Sequence, residues 1–163
     1  MASELHVDAI KHSGGTSAMT IDSSGNVNMP GSVIQVVNTT SSSSISTTST
    51  SDVDTGITLN ITPKFSTSKL WLLFSSRLYI SQNSSEYLVY IKNGSTIIGG
   101  GATLFNGSSG DRMAETCNIQ GFHSPSSTSQ QTYKITHRVS AGQGYLMPNS
   151  HPFDTPVNFA ILE

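Results

Sequence analysis

Residues 86–99 read EYLVYIKNGSTIIG, two runs rich in β-branched and aromatic side chains that flank the pair Asn93-Gly94. Side chains of these types favour strands. An Asn-Gly pair between two strands supplies the positive φ angles that a type I′ turn requires. The pattern therefore predicts a β-hairpin that turns at Asn93-Gly94. The glycines at 99–101 predict a bulge or a close approach of two backbones just after it.

Other strand patterns lie on both sides of this hairpin. Residues 69–80 form the most apolar run of the chain, which predicts a central strand buried on both faces. Residues 54–62 and 132–140 alternate apolar and polar side chains, as a half-buried strand does. The other predicted strands are 33–37, 112–123 and 157–162, the last of them locked inside a sheet.

Roughly eight predicted strands and no convincing helix indicate an all-β fold, an antiparallel sandwich of jelly-roll type. An immunoglobulin-type sandwich is the alternative, although its Cys…Trp…Cys pattern is absent from this sequence. Residues 39–51 are nearly all serine and threonine. They fit a polar edge strand and a flexible loop equally well.

The composition excludes several classes of function. Serine and threonine make up 47 of the 163 residues, charged residues make up 11%, and the formal net charge is -2. So little charge argues against a nucleic-acid surface, and a lone cysteine makes neither a disulfide framework nor a cysteine-rich zinc module. No run approaches the ~18 apolar residues of a membrane span. Residues 1–10 contain two acids and do not predict a signal peptide.

Residues 1–31 form a separate unit ahead of a domain at 32–163. The unit consists of short amphipathic β pieces broken at Gly14-Gly15, with a hairpin turn predicted at 23–26. Its few apolar side chains cannot enclose a core, so they must pack on the domain, on copies of the chain or on another protein. The candidate anchoring residues of this N-terminal stalk are Leu5, Val7, Ile10, Met19, Ile21, Val27 and Met29.

Residues able to do chemistry are present but not grouped. No histidines stand at metal-ligand spacing, and His137 falls on the apolar face of its strand, where a buried structural role is favoured over ligation. Cys117 lies beside apolar residues in a strand, which favours a buried thiol. Asp54 precedes Thr55-Gly56 and fits a turn. We predict no metal, no cofactor and no catalysis, and a polysaccharide-cleaving enzyme using Asp54 and Glu115 is the third-ranked hypothesis.

The long polar loops are the remaining candidates for binding. Loops at the ends of a rigid β scaffold commonly carry recognition residues. Serine, asparagine and glutamine can form hydrogen bonds to a sugar, and aromatic side chains can stack on it. The candidate receptor-contact residues are Asn106, Asp111, His123, Gln130, Tyr145, His151 and Phe153.

Several short strand-and-turn segments resemble the C-terminal β domain of marine bacteriophage fibre and virion proteins. The segments are 31–37 (GSVIQVV), 54–57 (DTGI), 61–63 (ITP), 67–70 (TSKL), 91–94 (IKNG), 124–125 (SP), 133–135 (YKI) and 159–163 (FAILE). The front part also resembles the stalk-side repeat that precedes this domain. It consists of 14–22 (GGTSAMTID) and 24–27 (SGNV).

The resemblance implies a non-enzymatic protein of the virion surface, assembled in the host cytoplasm, with no nucleic acid bound and no membrane insertion. It implies a homotrimer whose stalk contacts capsid or tail proteins and whose β knob is exposed. Typical tail fibres carry a long particle-binding region first, whereas Met1 here leads almost directly into the stalk. We therefore expect a short fibre or a capsid decoration protein. The alternative is a tail-fibre-type adhesion module that binds a host-cell glycan.

Overall fold

A computed structural model describes residues 6–82, 84–106, 113–146 and 156–163, with the backbone alone described at 102–106 and 113–114. All regular structure in these ranges is β. The strands are β1 (Ala9–Lys11), β2 (Ser17–Ile21), β3 (Val27–Asn28), β4 (Val36–Ser41), β5 (Ile45–Thr47), β6 (Val53–Ile61), β7 (Leu70–Ile80), β8 (Ser85–Asn93), β9 (Thr96–Asn106), β10 (Met113–His123), β11 (Gln131–Val139), β12 (Gly144–Leu146) and β13 (Val157–Leu162).

Two antiparallel sheets form the sandwich. In the first sheet, β7 lies at the centre, β12 and β13 share one of its edges, and β10 pairs with the other edge. The outer strands β4 and β5 pair with β13 and β12. The second sheet has the order β6-β11-β8-β9. If β4 with β5 and β12 with β13 each count as one interrupted strand, this is the eight-stranded jelly roll that the sequence predicts.

The core lies between the inner faces of the two sheets. Alternate residues of β7, among them Leu70, Leu72 and Phe74, are buried and face the second sheet. Phe74 meets Phe159 of β13 edge to face, with the ring centroids 6.3 Å apart. The second sheet contributes fully buried side chains such as Tyr133.

The prediction that residues 69–80 are buried on both faces is wrong. The strand alternates, and its outward side chains, from Trp71 to Tyr79, are exposed or half-buried. The run is apolar on both sides, but no other part of the described chain covers the outer face of the first sheet at Trp71. Apolar composition alone could not show which face lacks a partner.

The hairpin at 86–99 forms, but its turn differs from the predicted one. Asn93 pairs with Thr96, so the two turn residues are Gly94 and Ser95. Gly94 has φ of 58°, and Asn93 is not in the positive-φ region. A two-residue turn with positive φ at a first-position glycine is the type II′ pattern, not type I′. The hydrogen-bond register between the strands moves the turn by one residue.

The glycines after the hairpin are required where β9 approaches its neighbours. The β8–β9 register shifts between Val89 and Tyr90, and Gly100 there has φ of 140° with no room for a Cβ against the Tyr90 backbone. A Cβ at Gly99 would lie 2.3 Å from the carbonyl oxygen of Gln120 in β10. The predicted bulge and close backbone approach are therefore confirmed.

The first strands of the sandwich begin and end at residues other than those that the sequence pattern predicts. The first strand was expected at 33–37, but β4 begins at Val36 and Val33 is exposed. The ambiguous region 39–51 is divided, since β4 continues to Ser41 and β5 covers Ile45–Thr47. The Thr47 hydroxyl then accepts a hydrogen bond from the Ser49 amide at 3.0 Å, as in a short Ser/Thr turn.

The strands β1, β2 and β3 form a separate three-stranded antiparallel sheet ahead of the sandwich. Its turn at 22–26 is the hairpin predicted from the sequence, closed by the Asp22 amide donating to the Asn26 carbonyl at 3.0 Å. In the described part of the chain, these strands contact one another and make no extensive contact with a strand of the sandwich. The predicted domain boundary at 31/32 remains a prediction.

Replacing Gly99 with alanine should destabilise the fold, because the new methyl group would displace the β10 backbone at Gln120. Overpacking of this kind costs about 1–3 kcal/mol. The matched control is Thr96→Ala, an exposed position in the same strand, where the change should stay within about 0.5 kcal/mol. Urea unfolding of the two variants measures the difference, and equal stabilities would contradict the close approach of β9 and β10.

Candidate functional site

One face of the three-stranded sheet collects apolar side chains of the N-terminal segment. Ile10 lies opposite Met19 across the β1–β2 pair, and Ile21 lies opposite Val27 across the β2–β3 pair. Met19 and Ile21 are two residues apart, so all four side chains point to the same side. Ile10 is 46% exposed and Val27 is 42% exposed. We call these four residues the stalk face.

The stalk face contains four of the seven anchoring residues predicted from the sequence. Of the other three, Val7 is half-buried just ahead of β1, and Met29 is exposed just after β3. Leu5 lies outside the described residues. The strand pairing, and not the sequence pattern alone, brings these four candidates onto one face, and their anchoring role remains a prediction.

The Asp22 carboxylate holds the β2–β3 turn that positions Val27. It accepts hydrogen bonds from the Ser24 amide at 2.9 Å, from the Asn26 amide at 2.8 Å and from the Asn26 side-chain amide at 2.9 Å. The side-chain hydrogen bond from Asn26 is the main cause of a lowered pKa for Asp22. The carboxylate is thus an organising element of the turn and not a free acid.

The N-terminal segment joins the sandwich beside Glu163. The Glu163 side chain is buried and accepts hydrogen bonds from the Lys64 amide at 2.6 Å and from the Ser68 hydroxyl at 2.5 Å. A depression of about 370 Å³ at this junction is lined by residues 28–34, Phe65, residues 67–69 and Glu163. The end of β3 therefore lies near the starts of β4 and β7 and the end of β13. We call this end of the sandwich the stalk end, and the opposite end the far end.

The predicted receptor-contact residues do not form one surface. The backbone of Asn106 and the side chain of Tyr145 lie at the far end, where β8 begins and β12 pairs with β7. His123 and Gln130 lie at the stalk end, where β10 ends and β11 is about to begin. Asp111, His151 and Phe153 lie outside the described residues.

Tyr145 belongs to a small aromatic and amide group at the far end. Its ring lies 5.4 Å from that of Tyr79 on β7, with both side chains half-buried on the outer face of the first sheet. Nearby, the Gln143 side-chain amide donates to the Ser46 hydroxyl at 3.2 Å. Half-exposed aromatic rings beside amides and hydroxyls are suited to contact a sugar.

His123 has a structural partner at the stalk end. Its Nδ1 lies 2.6 Å from the hydroxyl of Tyr133, and the two residues belong to different sheets. Burial raises the pKa of Tyr133 to about 12. The phenol therefore stays protonated, and the pair joins the sheets.

His137 and Cys117 are buried, as the strand patterns predict. The His137 Nδ1 lies 2.7 Å from the Tyr87 hydroxyl, and burial lowers the pKa of the imidazole to about 4 against a smaller opposing effect of Asp54. Burial raises the pKa of the Cys117 thiol to about 12, which leaves it a poor nucleophile. Both groups are part of the core.

Of the two acids considered for hydrolysis, Glu115 is exposed on β10 in the first sheet, and Asp54 lies in an ion-paired group with Asp52 at the second sheet. Asp52 contacts the Lys92 ammonium group and lies 3.5 Å from Arg138, and Asp54 lies 3.3 Å from the Lys134 ammonium group. All of these ion-paired side chains lie on or beside the outer face of the second sheet. Within the described ranges, no three histidine, cysteine or acidic side chains are grouped to hold a metal ion.

The outer face of the first sheet differs, because it carries almost no charge and exposes large apolar side chains. Four residues stand side by side across four strands: Leu162 pairs with Val36 on one side and with Trp71 on the other, and Trp71 pairs with Phe122. Val36 is 59% exposed, Trp71 38% and Phe122 70%. The Trp71 and Phe122 rings are stacked, with centroids 5.7 Å apart. We call these four residues the apolar row.

Sequence reasoning missed the apolar row. Its members are far apart in the chain and meet only through the pairing of β4, β13, β7 and β10. The one available signal was the size of the apolar run at 69–80, which was interpreted as burial on both faces. Knowledge of the strand order would have placed Trp71 and Phe122 next to each other on an outer face.

Comparisons with known proteins identify no family for this chain. No protein-family model and no curated protein matches it. Several solved structures are similar. Among them are one of the infectious bursal disease virus Gt strain, with 12% identity and a TM-score of 0.46, and one of T=1 particles derived from a mutant VP2 protein of the same virus, with 12% identity and a TM-score of 0.44. Each match covers 84% of this chain and respectively 40% and 38% of the other.

This chain therefore spans about two fifths of the length of those viral chains. At these scores neither similarity bears on what the chain does. The described residues also include no helix long and apolar enough to cross a membrane.

Acidification should destabilise the protein through His137. In the unfolded chain the imidazole takes up a proton near its ordinary pKa of 6.5, whereas in the folded chain its pKa is about 4. The unfolded state binds more protons between these values, so the unfolding free energy is unaffected above pH 6.5 and falls as the pH drops toward 4. The loss approaches about 3 kcal/mol below the folded pKa.

Chemical denaturation across this pH range at fixed protein concentration measures the effect. His137→Gln, which cannot take up the proton, should lose that part of the pH dependence, whereas His12→Gln in an exposed turn should retain it. The same pH dependence in the original chain and in His137→Gln would contradict the buried neutral state.

Proposed function

We propose that this chain is a non-enzymatic structural protein of a virion, a short homotrimeric fibre or a capsid decoration protein. In this proposal the N-terminal sheet fastens the protein to its copies and to capsid or tail proteins, and the sandwich is exposed. The observation that carries the proposal is the stalk face. It gathers four apolar side chains on a sheet that is too small to bury them by itself.

Association of identical chains would cover the stalk face. Moving a valine, leucine, isoleucine or methionine side chain out of water contributes about 1.5–3 kcal/mol. A three-stranded sheet with one apolar side gains this only when a second apolar surface meets it, and copies of the same chain supply one. The trimeric state and the virion location are supported by the resemblance of 14–27 and of the strand segments to phage fibre and virion proteins.

The stalk end and the far end of the sandwich carry different features, as expected for a protein that is attached to a particle through one end only. The stalk end contains the junction with the three-stranded sheet, and the far end contains the Tyr79–Tyr145 pair. A chain fastened through its N-terminal sheet would present the far end away from the attachment point. The ion-paired face of the second sheet is suited to remain in water.

A charge on the stalk face should prevent association. Ile21→Asp places a carboxylate among apolar side chains, and its desolvation should weaken association by roughly a hundredfold or more. Thr20→Asp is the matched control, since Thr20 is the neighbouring residue on the opposite side of β2. Sedimentation velocity over a range of concentrations compares the two, and equal association by both variants would overturn the role of the stalk face.

A second candidate function is host adhesion through a surface glycan. The observation that favours it is the half-exposed Tyr79–Tyr145 pair at the far end.

Labelling of purified virions with Fab fragments against the far end tests both functions. We expect labelling of the particle surface, and unchanged adsorption to host cells if the role is structural alone. Adsorption blocked by the Fab would favour adhesion, and virions that contain none of this chain would rule out both.

A further inference from the structure

The two outer faces of the sandwich are chemically unlike each other. The second sheet carries the ion pairs of Asp52 and Asp54 with Lys92, Lys134 and Arg138. On the described strands of the first sheet, Arg77 is the one charged side chain among the outward positions, and the apolar row crosses the stalk end. Depletion of charge and enrichment of exposed aromatic side chains distinguish the core of a protein interface from ordinary surface.

We propose that the apolar row is an interface with a neighbouring copy of the same chain, continuous with the stalk face. This inference rests on the proposed homotrimer and names the part of the sandwich that takes part in it. The apolar row packs against another copy through Trp71 and Phe122 as its central side chains. The stalk face and the apolar row then act as one contact surface.

The position of the row indicates a copy of the chain as the occupant. Residues 28–34 connect the stalk sheet to Val36, which is itself a member of the row. The same segment lines the junction depression together with Lys69 and Glu163, which lie close in sequence to Trp71 and Leu162. Copies that meet through their stalk faces are therefore brought together at the end of the sandwich where the row lies.

The areas support a joint surface. An aromatic side chain offers about 150–250 Å², so the exposed fractions of Trp71 and Phe122 leave roughly 200–250 Å² of their surface in water. A stable interface removes about 800 Å² from each partner. The row is too small to hold two molecules together alone, and so is the short stalk sheet. The stalk face adds apolar surface to the row, so the two together bury more than either does alone.

Trp71 is the only tryptophan in the chain, so its fluorescence reports directly on the apolar row. In the proposed assembly, acrylamide should quench Trp71 several-fold less efficiently in the associated chain than in the Ile21→Asp variant, which serves as the dissociated reference. Its emission should also shift to shorter wavelength as the protein concentration rises. An associated chain whose Trp71 is quenched as readily as in Ile21→Asp would overturn the proposal.

Substitution of a residue of the apolar row gives an independent measurement of its contribution to association. Phe122→Ser removes an exposed ring, which should leave the folded monomer intact and weaken association roughly thirtyfold, as loss of a central interface aromatic does. The control is Leu88→Ser on the outer face of the second sheet, which should leave association unchanged. Equal effects of the two substitutions would contradict the proposal.

The outcomes separate this inference from the proposed function. A chain that is monomeric at all concentrations refutes the homotrimer and the row together. A chain that associates through the stalk face with Trp71 still accessible refutes the row alone. If Trp71 is accessible to acrylamide in the free trimer but shielded on virions, the row contacts a different virion protein. That result also overturns the contact between copies.

Discussion

The structure depends on the pairing of strand β7 along both of its edges. β10 pairs with the whole length of one edge, and β13 and β12 divide the other. This places a long strand, apolar on both sides, at the centre of the first sheet. The side chains from Leu70 to Ile80 that face inward fill the space between the sheets. In the part of the chain that the structure describes, no second layer covers the outward side chains.

The uncovered surfaces follow from this constraint. A jelly roll uses its two sheets to cover each other's inner faces, and none of the described strands lies over Trp71 and Phe122. The N-terminal sheet is also a single layer, and its apolar stalk face has no cover among the described residues. With 11% charged residues and a net charge of -2, identical copies can pack closely with little electrostatic repulsion. A self-associating protein uses the surfaces that a single chain leaves open.

The sequence was informative wherever a local pattern determines the result. Alternation of side chains placed His137 and Cys117 in the core and predicted that Met19 and Ile21, two residues apart, point the same way, because the side-chain period of a strand is two. Residues 86–99 were correctly predicted as a hairpin. The turn within it moved by one residue because pairing of Asn93 with Thr96, a property of the two strands together, fixes its position.

Features that depend on strand order could not be predicted in the same way. The apolar row brings together residues 36, 71, 122 and 162, which no local window contains. The predicted contact loops were expected at the ends of the sandwich, yet a sequence does not show that His123 and Tyr145 belong to opposite ends. The exposed face of residues 69–80 was missed for the same reason, since burial depends on the neighbouring layer and not on the apolar run.

Native mass spectrometry of the unmodified chain, recorded across micromolar concentrations, measures how many copies associate. A homotrimer gives a dominant species of three times the 17.3 kDa chain mass. A single species at 17.3 kDa at every concentration would contradict it.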